Sequence, residues 1–464
     1  MSSPRVVTSL AAVVVFVFAA FTSTASGQAP PPSPPSPTPA PLSTQVAGRV
    51  LTLEECIAIA LEAQPRIQAT LSDYAAARYR VNQAFSPLLP QISGLVSASR
   101  SEIWSSQTTS AGRTVSAVNQ QSGVFGYSLA SKQLSDSFIA QVQFSQLLFD
   151  FGKALAATDA ARKLAEVAVE DVELQRQLIS LTVKEAYTNT LFSQRLIRVQ
   201  EQAVERAELN LSSAKGFYDV GTQPLSTVVR AEVDVANAKV DLINARNALR
   251  TARVALNTAL AIDAGTPTEI TDNLEYEPTT IDRAALRAEA LKQSPEYRQA
   301  RLQSAAAEAS VQHASRNFLP NISGTGSYGG SQLELNPNWS LGLVFSWNIF
   351  DGGNLIAALD EAKANLGAAA ARVKVAELTL IQNLEQAEIA VEAAQERIQA
   401  AHVLIASSQE NFRLAQGRFD VGVGTILELT DAQLALTQAQ NTEAQALADY
   451  RIALAQLDRA AGRR

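Results

Sequence analysis

The chain repeats itself over a long interval, and this limits its possible folds more than any other feature. The segment L-P-Q-I-S-G at 89–94 returns as L-P-N-I-S-G at 319–324, an offset of 230. F-S-Q-L-L-F-D-F-G at 144–152 returns as F-S-W-N-I-F-D-G-G at 345–353, now offset by 201. Y-D-V-G-T at 218–222 and F-D-V-G-V-G-T at 419–425 keep the 201 spacing. A unit of about 200 residues used twice is a duplicated structure rather than a short-period solenoid. The fall from 230 to 201 assigns 29 extra residues to the first copy. They fall in the Ser/Thr/Gln/Gly-rich stretch S-R-S-E-I-W-S-S-Q-T-T-S-A-G and beyond, which reads as a loop.

Each copy presents the same order of elements. A helix of about two dozen residues ends near Pro87 or Phe318, and two strands separated by a polar loop follow. Trp339, Leu341, Leu343, Phe345, Trp347 and Ile349 alternate with Ser340, Gly342, Val344, Ser346 and Asn348. Phe138, Ala140, Val142 and Phe144 do the same in the first copy. Period two over about ten residues with aromatics near the ends suits membrane barrel strands, apolar outward and polar inward; the alternative, half-buried strands of a soluble sandwich, would normally need more than four strands in so long a chain. The candidate membrane-facing residues are Phe138, Phe144, Trp339, Phe345 and Trp347.

Residues 153–215 then contain neither Gly nor Pro, and residues 354–416 only Gly367. Sixty-three helical residues would reach roughly 95 Å, which implies a rod. Apolar residues recur three and four apart, as at Leu174, Leu178 and Leu181 and at Ile381, Leu384 and Ala387. Beyond the Val-Gly turns, Val228, Val235, Leu242, Leu249 and Leu256 fall seven apart, each followed three residues later by alanine, from Ala231 to Ala259. The second copy repeats the alanine row from Ala432 to Ala460, and only Glu443 breaks its row of large residues. Small residues at one heptad position let two helices pack closely, so each turn joins a long helix to a return helix in an antiparallel coiled coil. Asp219, Val220, Gly221 and Thr222 form one turn; Asp420, Val421, Gly422, Gly424 and Thr425 form the other. V-G-V-G-T lacks the Lys-Ser/Thr of a phosphate loop.

The remaining composition mainly excludes. Of 464 residues, 38 are Lys or Arg and 45 Asp or Glu, a net charge of −7 with no basic stripe for nucleic acid. One cysteine, Cys56, precludes an internal disulfide or a cysteine-rich metal centre. His313 and His402 are expected on helix surfaces. No catalytic constellation, metal or cofactor is expected. Arg5, the apolar run at 10–20 and A-S-G before Gln28 predict an export signal over 1–27, too short in its apolar part to span a bilayer. No cysteine stands directly after the cleavage point, and Cys56 lies in the wrong context, E-E-C, so a lipid anchor of the bacterial kind is not expected. The Pro-rich segment that follows reads as a linker over 28–48. The first repeat is then assigned to 49–263, a connector to 264–280 and the second repeat to 281–464.

L-T-L-E-E-C-I-A-I-A-L-E-A-Q-P at 51–65, the F-S-x-x-x-F-D-x-G strand ends, both Val-Gly turns and the duplication together resemble the TolC-like outer membrane efflux proteins of Gram-negative bacteria. The resemblance covers nearly everything from Leu51 onward. It implies a mixed, mostly helical fold in a homotrimer. Each protomer would give four strands to a twelve-stranded barrel in outer membrane lipid, and its helices to a periplasmic helical barrel. It implies the exit duct of a tripartite efflux or type I secretion system, working with a periplasmic adaptor and an inner-membrane pump of RND, ABC or MFS type. Four strands cannot close a barrel and open edges are not tolerated in lipid, so assembly is required independently of the resemblance. The tip turns would dock the adaptor. Glu428 and Asp431 match the family's acidic gate positions, so a trimer would place six carboxylates around one constriction. Phe419 and Gly424 stand where the family often has a tyrosine and an arginine. Arg230, the 201-offset counterpart of Asp431, is the expected partner for it. A periplasmic adaptor or coiled-coil structural protein is the alternative, but it leaves the two aromatic-ended strand pairs unexplained.

Overall fold

The computed structural model describes residues 48–106, 130–279, 281–331 and 336–464. The expected export signal, most of the Pro-rich linker and the tip of the first strand loop lie outside these residues.

In the first repeat, β1 (Val50–Leu51) leads into α1 (Leu53–Ala63) and α2 (Pro65–Phe85). Thr52 and Glu55 form a reciprocal capping box that starts α1. Pro65 occupies the first turn of α2, where its missing N–H costs no hydrogen bond. Strands β2 (Gln91–Ser106) and β3 (Ala130–Phe149) follow, then α3 (Lys153–Asp219) and α4 (Leu225–Ala259). The connector holds β4 (Glu269–Ile270), and the second repeat runs through α5 (Arg283–Gln293), α6 (Pro295–Arg316), β5 (Asn321–Ser331), β6 (Asn336–Ser346), α7 (Asn354–Asp420) and α8 (Ile426–Ala460). Helices α3 and α7 each have 67 residues, about 100 Å at 1.5 Å per residue, and α4 and α8 each have 35.

The strand-end motif F-D-x-G acts as a helix start. Asp150 accepts from the Gly152 and Ala154 backbone N–H groups at 2.9 and 2.7 Å, and Asp351 accepts from Leu355 N at 3.0 Å. Each aspartate therefore satisfies N–H groups that the first helical turn leaves free, with its charge at the positive end of the helix dipole.

The four long strands form one antiparallel sheet in the order β2-β3-β5-β6. Its register places Ile92, Val96, Phe138, Ala140, Val142, Phe144, Ile322, Tyr328, Trp339, Leu341, Leu343 and Phe345 on a single face. Ser93, Ser97, Gln141, Gln143, Ser323, Thr325, Ser327 and Ser340 dominate the other, interrupted by Leu95, Ile139 and Val344. Two differences from the sequence reading appear here. Residues 99–106, read as loop, continue β2, because S-R-S-E-I-W-S-S keeps pairing residue for residue with β3 as far as Ser106 and Ala130. The first strand pair is thus 16 and 20 residues long against 11 and 11 in the second. Trp347 lies just past the end of β6, where its indole Nε1 donates to the Phe318 carbonyl at 3.0 Å.

Near the tip, α3 pairs with α4 and α7 with α8 over the length of the shorter helix. Nearer the sheet, α2 and α6 replace the return helices as neighbours of α3, and α6 also packs on α7. The heptad seams are buried as expected: Val228, Ala231, Val235, Ala238, Ala245 and Leu256 on α4, and Leu429, Ala432, Leu436, Ala439, Ala446 and Tyr450 on α8. Glu443, which breaks the row, points its carboxylate at Arg195 on α3 (4.0 Å) and His402 on α7 (3.4 Å). Around the middle of α3 the most deeply buried apolar residues are Val183, Tyr187 and Leu191. Leu174, Leu178 and Leu181 are only half-buried, because three helices surround α3 there and no single stripe describes its contacts.

Candidate functional site: the lipid-facing sheet and the paired helical tips

Two regions are candidates for function. The first is the apolar face of the sheet, which no element among the described residues covers. On β6, Trp339, Leu341, Leu343 and Phe345 are 62–79 % exposed. A contiguous apolar surface of this kind, backed by a Ser/Gln/Thr face, belongs against hydrocarbon with water behind it. Phe138 is half-buried and Phe144 exposed on the same face. Strands β2 and β6 each leave one edge unpaired within the protomer. Among the described residues no helix is long and apolar enough to cross a membrane.

The second region is the pair of helical tips. Val220 and Val421 end the long helices, and Gly221 and Gly422 follow with φ of +76° and +79°. That left-handed backbone is one L-residues rarely adopt. Gly221 N and Gly422 N donate to Tyr218 O and Phe419 O, both at 2.9 Å, closing the two turns alike. The copies then diverge. Thr222 adds a side-chain bond to Phe217 O at 2.8 Å, whereas Thr425 caps α8 by accepting from Glu428 N at 3.2 Å. Asp219 and Asp420 are exposed at the ends of the long helices.

The tips are joined through an apolar core drawn from both hairpins. Ala214, Val228 and Ala231 of the first meet Ala415, Phe419, Leu429 and Ala432 of the second. Phe419 is 1 % exposed and meets Phe217 edge-on, ring centroids 5.5 Å apart and planes at 85°. The ring standing where the family often has a tyrosine is therefore a core residue. Behind it the contact becomes polar. Thr430 Oγ1 donates to Asp234 at 2.8 Å, and buried Asn210 donates to Gln433 at 2.6 Å. Arg206 donates to Thr437 and Gln440, both at 3.3 Å. Burial lowers the Arg206 guanidinium from its ordinary range.

The acidic pair does not behave as a pair. Glu428 accepts from Arg418 Nη1 at 2.8 Å, while Asp431 is exposed and has no ion pair among the described residues. Arg230 is likewise exposed and unpaired among them, so the expected Arg230–Asp431 contact does not form within the protomer. Position 201 residues away is equivalence in the repeat, and equivalent residues sit on separate hairpins rather than facing each other. Arg418, which the tip motif alone does not single out, is the cation that reaches Glu428.

A four-stranded sheet with one exposed apolar face, continued by helices about 100 Å long, has the form of a membrane channel protomer. Residues 56–261 and 286–463 match the family model described as outer membrane efflux protein. The chain belongs to that family, and is an outer membrane efflux channel of the TolC-like kind. It is 25 % identical over 387 residues to the probable efflux pump outer membrane protein TtgC of Pseudomonas putida, covering 81 % of this chain and 75 % of that one. It is 23 % identical over 417 residues to the outer membrane protein TolC of Escherichia coli, covering 84 % and 77 %. The Campylobacter jejuni CmeC outer membrane channel superposes with a TM-score of 0.72 at 18 % identity, over 88 % of this chain and 85 % of that one.

Proposed function

We propose that this protein is the exit duct of a tripartite export system, assembled as a homotrimer. Its barrel would lie in the outer membrane and its periplasmic end would be gated at the second-repeat tip. The single observation that carries the reading is the four-stranded sheet with an uncovered apolar face and two unpaired edges. Such a sheet is unstable in lipid until further strands close it. The helices point the same way. On α4, Val229, Val233, Val240 and Ile243 form a second apolar stripe, 51–56 % exposed, apart from the buried seam. On α7, Val375, Leu378, Ile389, Val403 and Leu414 form another, 51–68 % exposed, at spacings of 3, 11, 14 and 11 residues that keep them on one side of the helix. Neighbouring copies would bury α4 of one protomer against α7 of the next.

At the far ends of the rods Val220, Val421 and Val423 are 69–73 % exposed, an apolar surface suited to a docking adaptor. An inner-membrane pump would supply the energy, since a duct of this kind has no energy source of its own. Glu428 and Asp431 sit just beyond the second turn, where the constriction is expected.

Native mass spectrometry of protein extracted from outer membrane fractions tests the assembly, with photo-crosslinking residues at Val220 and Val423 to capture the adaptor. Trimers in that fraction and crosslinks from both tips are expected. A monomer recovered from the soluble periplasmic fraction would overturn the reading.

A further inference from the structure

At position 418 the second tip carries a cation where the first has Phe217, and several independent features hold it in place. Arg418 lies in the last turn of α7 and Glu428 in the first turn of α8. Helix dipoles favour a positive charge at the former position and a negative charge at the latter. Thr425 fixes the start of α8 by capping Glu428 N. Gly424 lets the turn fold back far enough: a Cβ there would stand 2.8 Å from Phe419 N, 2.9 Å from Arg418 C and 3.1 Å from Arg418 Cβ. The result is the 2.8 Å contact between Arg418 Nη1 and Glu428 Oε1. In the first repeat the corresponding residues are Phe217, Gln223 and Thr227, so that tip has none of these parts.

Three residues beyond Glu428 on the same helix face, Asp431 has no such partner among the described residues. On the reading that the second-repeat tip forms the constriction, we propose that Arg418 is a determinant of its charge selectivity. By neutralising Glu428 it leaves only one of the two gate carboxylates, Asp431, uncompensated, beside the exposed Asp420 at the end of α7. A closely paired Arg and Glu present a short dipole whose field fades quickly, whereas a lone carboxylate in a ring attracts cations across a Debye length, about 10 Å at 0.1 M salt. The duct would then be a weaker cation filter than its acidic residues imply, suited to neutral and anionic cargo as well as cationic.

The test is the reversal potential of the purified full-length channel in planar bilayers, under a KCl gradient near 0.1 M. The parent is compared with Arg418→Gln, Arg418→Lys, Glu428→Gln, Asp431→Asn and the double variant Arg418→Gln/Glu428→Gln. Both members of the pair are substantially exposed, with side chains 58 % and 39 % accessible, so folding is not at stake. Arg418→Gln should raise the cation-over-anion permeability ratio by roughly twofold or more, and Glu428→Gln should lower it, in each case by unmasking the partner's charge. The double variant should return to the parental ratio, and Arg418→Lys should stay near it. The differences should shrink at 1 M KCl, where the Debye length is about 3 Å. If Asp431→Asn shifts the ratio while Arg418→Gln and Glu428→Gln do not, Arg418 has no part in selectivity and the constriction reading stands. If none of the variants shifts it, the tip is not the constriction and the proposal falls with that reading.

Discussion

Replacing Phe419 with alanine removes the ring through which the two hairpins share a core at the tip. Phe419 is 1 % exposed and packs among alanine, valine and leucine side chains from both hairpins. A buried Phe→Ala change costs about 3–5 kcal/mol, part transfer and part cavity, and at this site the sum includes an edge-on aromatic pair worth about 0.5–1.5 kcal/mol. The polar contacts behind it, Thr430–Asp234 and Asn210–Gln433, are untouched. The loss should therefore appear as easier separation of the tips rather than global unfolding. At about 1.4 kcal/mol per tenfold, tip opening should become about a hundred to a few thousand times more frequent. Hydrogen–deuterium exchange on the purified protein in detergent reads this directly. Amides around Ala214, Val228, Ala415 and Ala432 should exchange faster by up to that factor, while the sheet-proximal half of α3 keeps its protection. Phe217→Ala should act in the same direction but less, since Phe217 is only half-buried. Unchanged protection at the tip would refute the idea that this core holds the hairpins together; equal acceleration along all of α3 would show that the change unfolds the rod instead.

The other predictions concern separate sites. Ala261 has φ of +56° just past α4, while its counterpart 201 residues on is Gly462 with φ of +84°; Ala261→Gly should raise stability by about 0.5–1 kcal/mol, measurable as a higher urea midpoint. Burial, then the neighbouring Glu385, pushes the Glu388 carboxyl above its ordinary value, against the pull of Arg283 whose Nε is 3.5 Å away. Because the folded pKa is raised, the site's stabilisation is complete below the ordinary glutamate value and is lost as pH rises through the raised one. Protection of α5 on α7 should accordingly be lower at pH 8 than at pH 5, and Glu388→Gln should abolish the difference; a pH dependence that survives in Glu388→Gln would locate it elsewhere. Trp339, 73 % exposed on the lipid face, should be quenched by bromine-labelled acyl chains, and the Trp339→Phe variant should lose that component of the quenching.

What the sequence made legible was everything with a period or a repeat. Two-residue alternation identified β6, seven-residue alanine spacing identified the seams of α4 and α8, and the 201 offset matched two hairpins that prove identical in length. Contacts between elements that share no pattern were not legible. Asn210 meets Gln433 across 223 residues, and neither lies in a row that marks it. Arg230 and Asp431 do not meet within the protomer for a related reason: repeat equivalence relates surroundings and does not make residues adjacent. Arg418–Glu428 could have been found from sequence, by noting that the last turn of one helix and the first of the next carry opposite charges only in the second copy. The polar stretch at 99–106 resembles a loop in sequence because its serine-rich composition hides a strand whose backbone pairing continues past its apolar section.

The matched helix lengths carry a consequence for how such a rod can change. Phe217 and Phe419 meet only because both long helices run 67 residues from their sheet ends before turning. Seven residues added to each arm of one hairpin alone would keep its own heptad seam in phase, yet carry its tip about 10 Å past the other. The two copies thus act as rulers cut to one measure. Any lengthening or shortening must arrive as whole heptads, in both arms of both hairpins together, or the tips no longer end in the same plane.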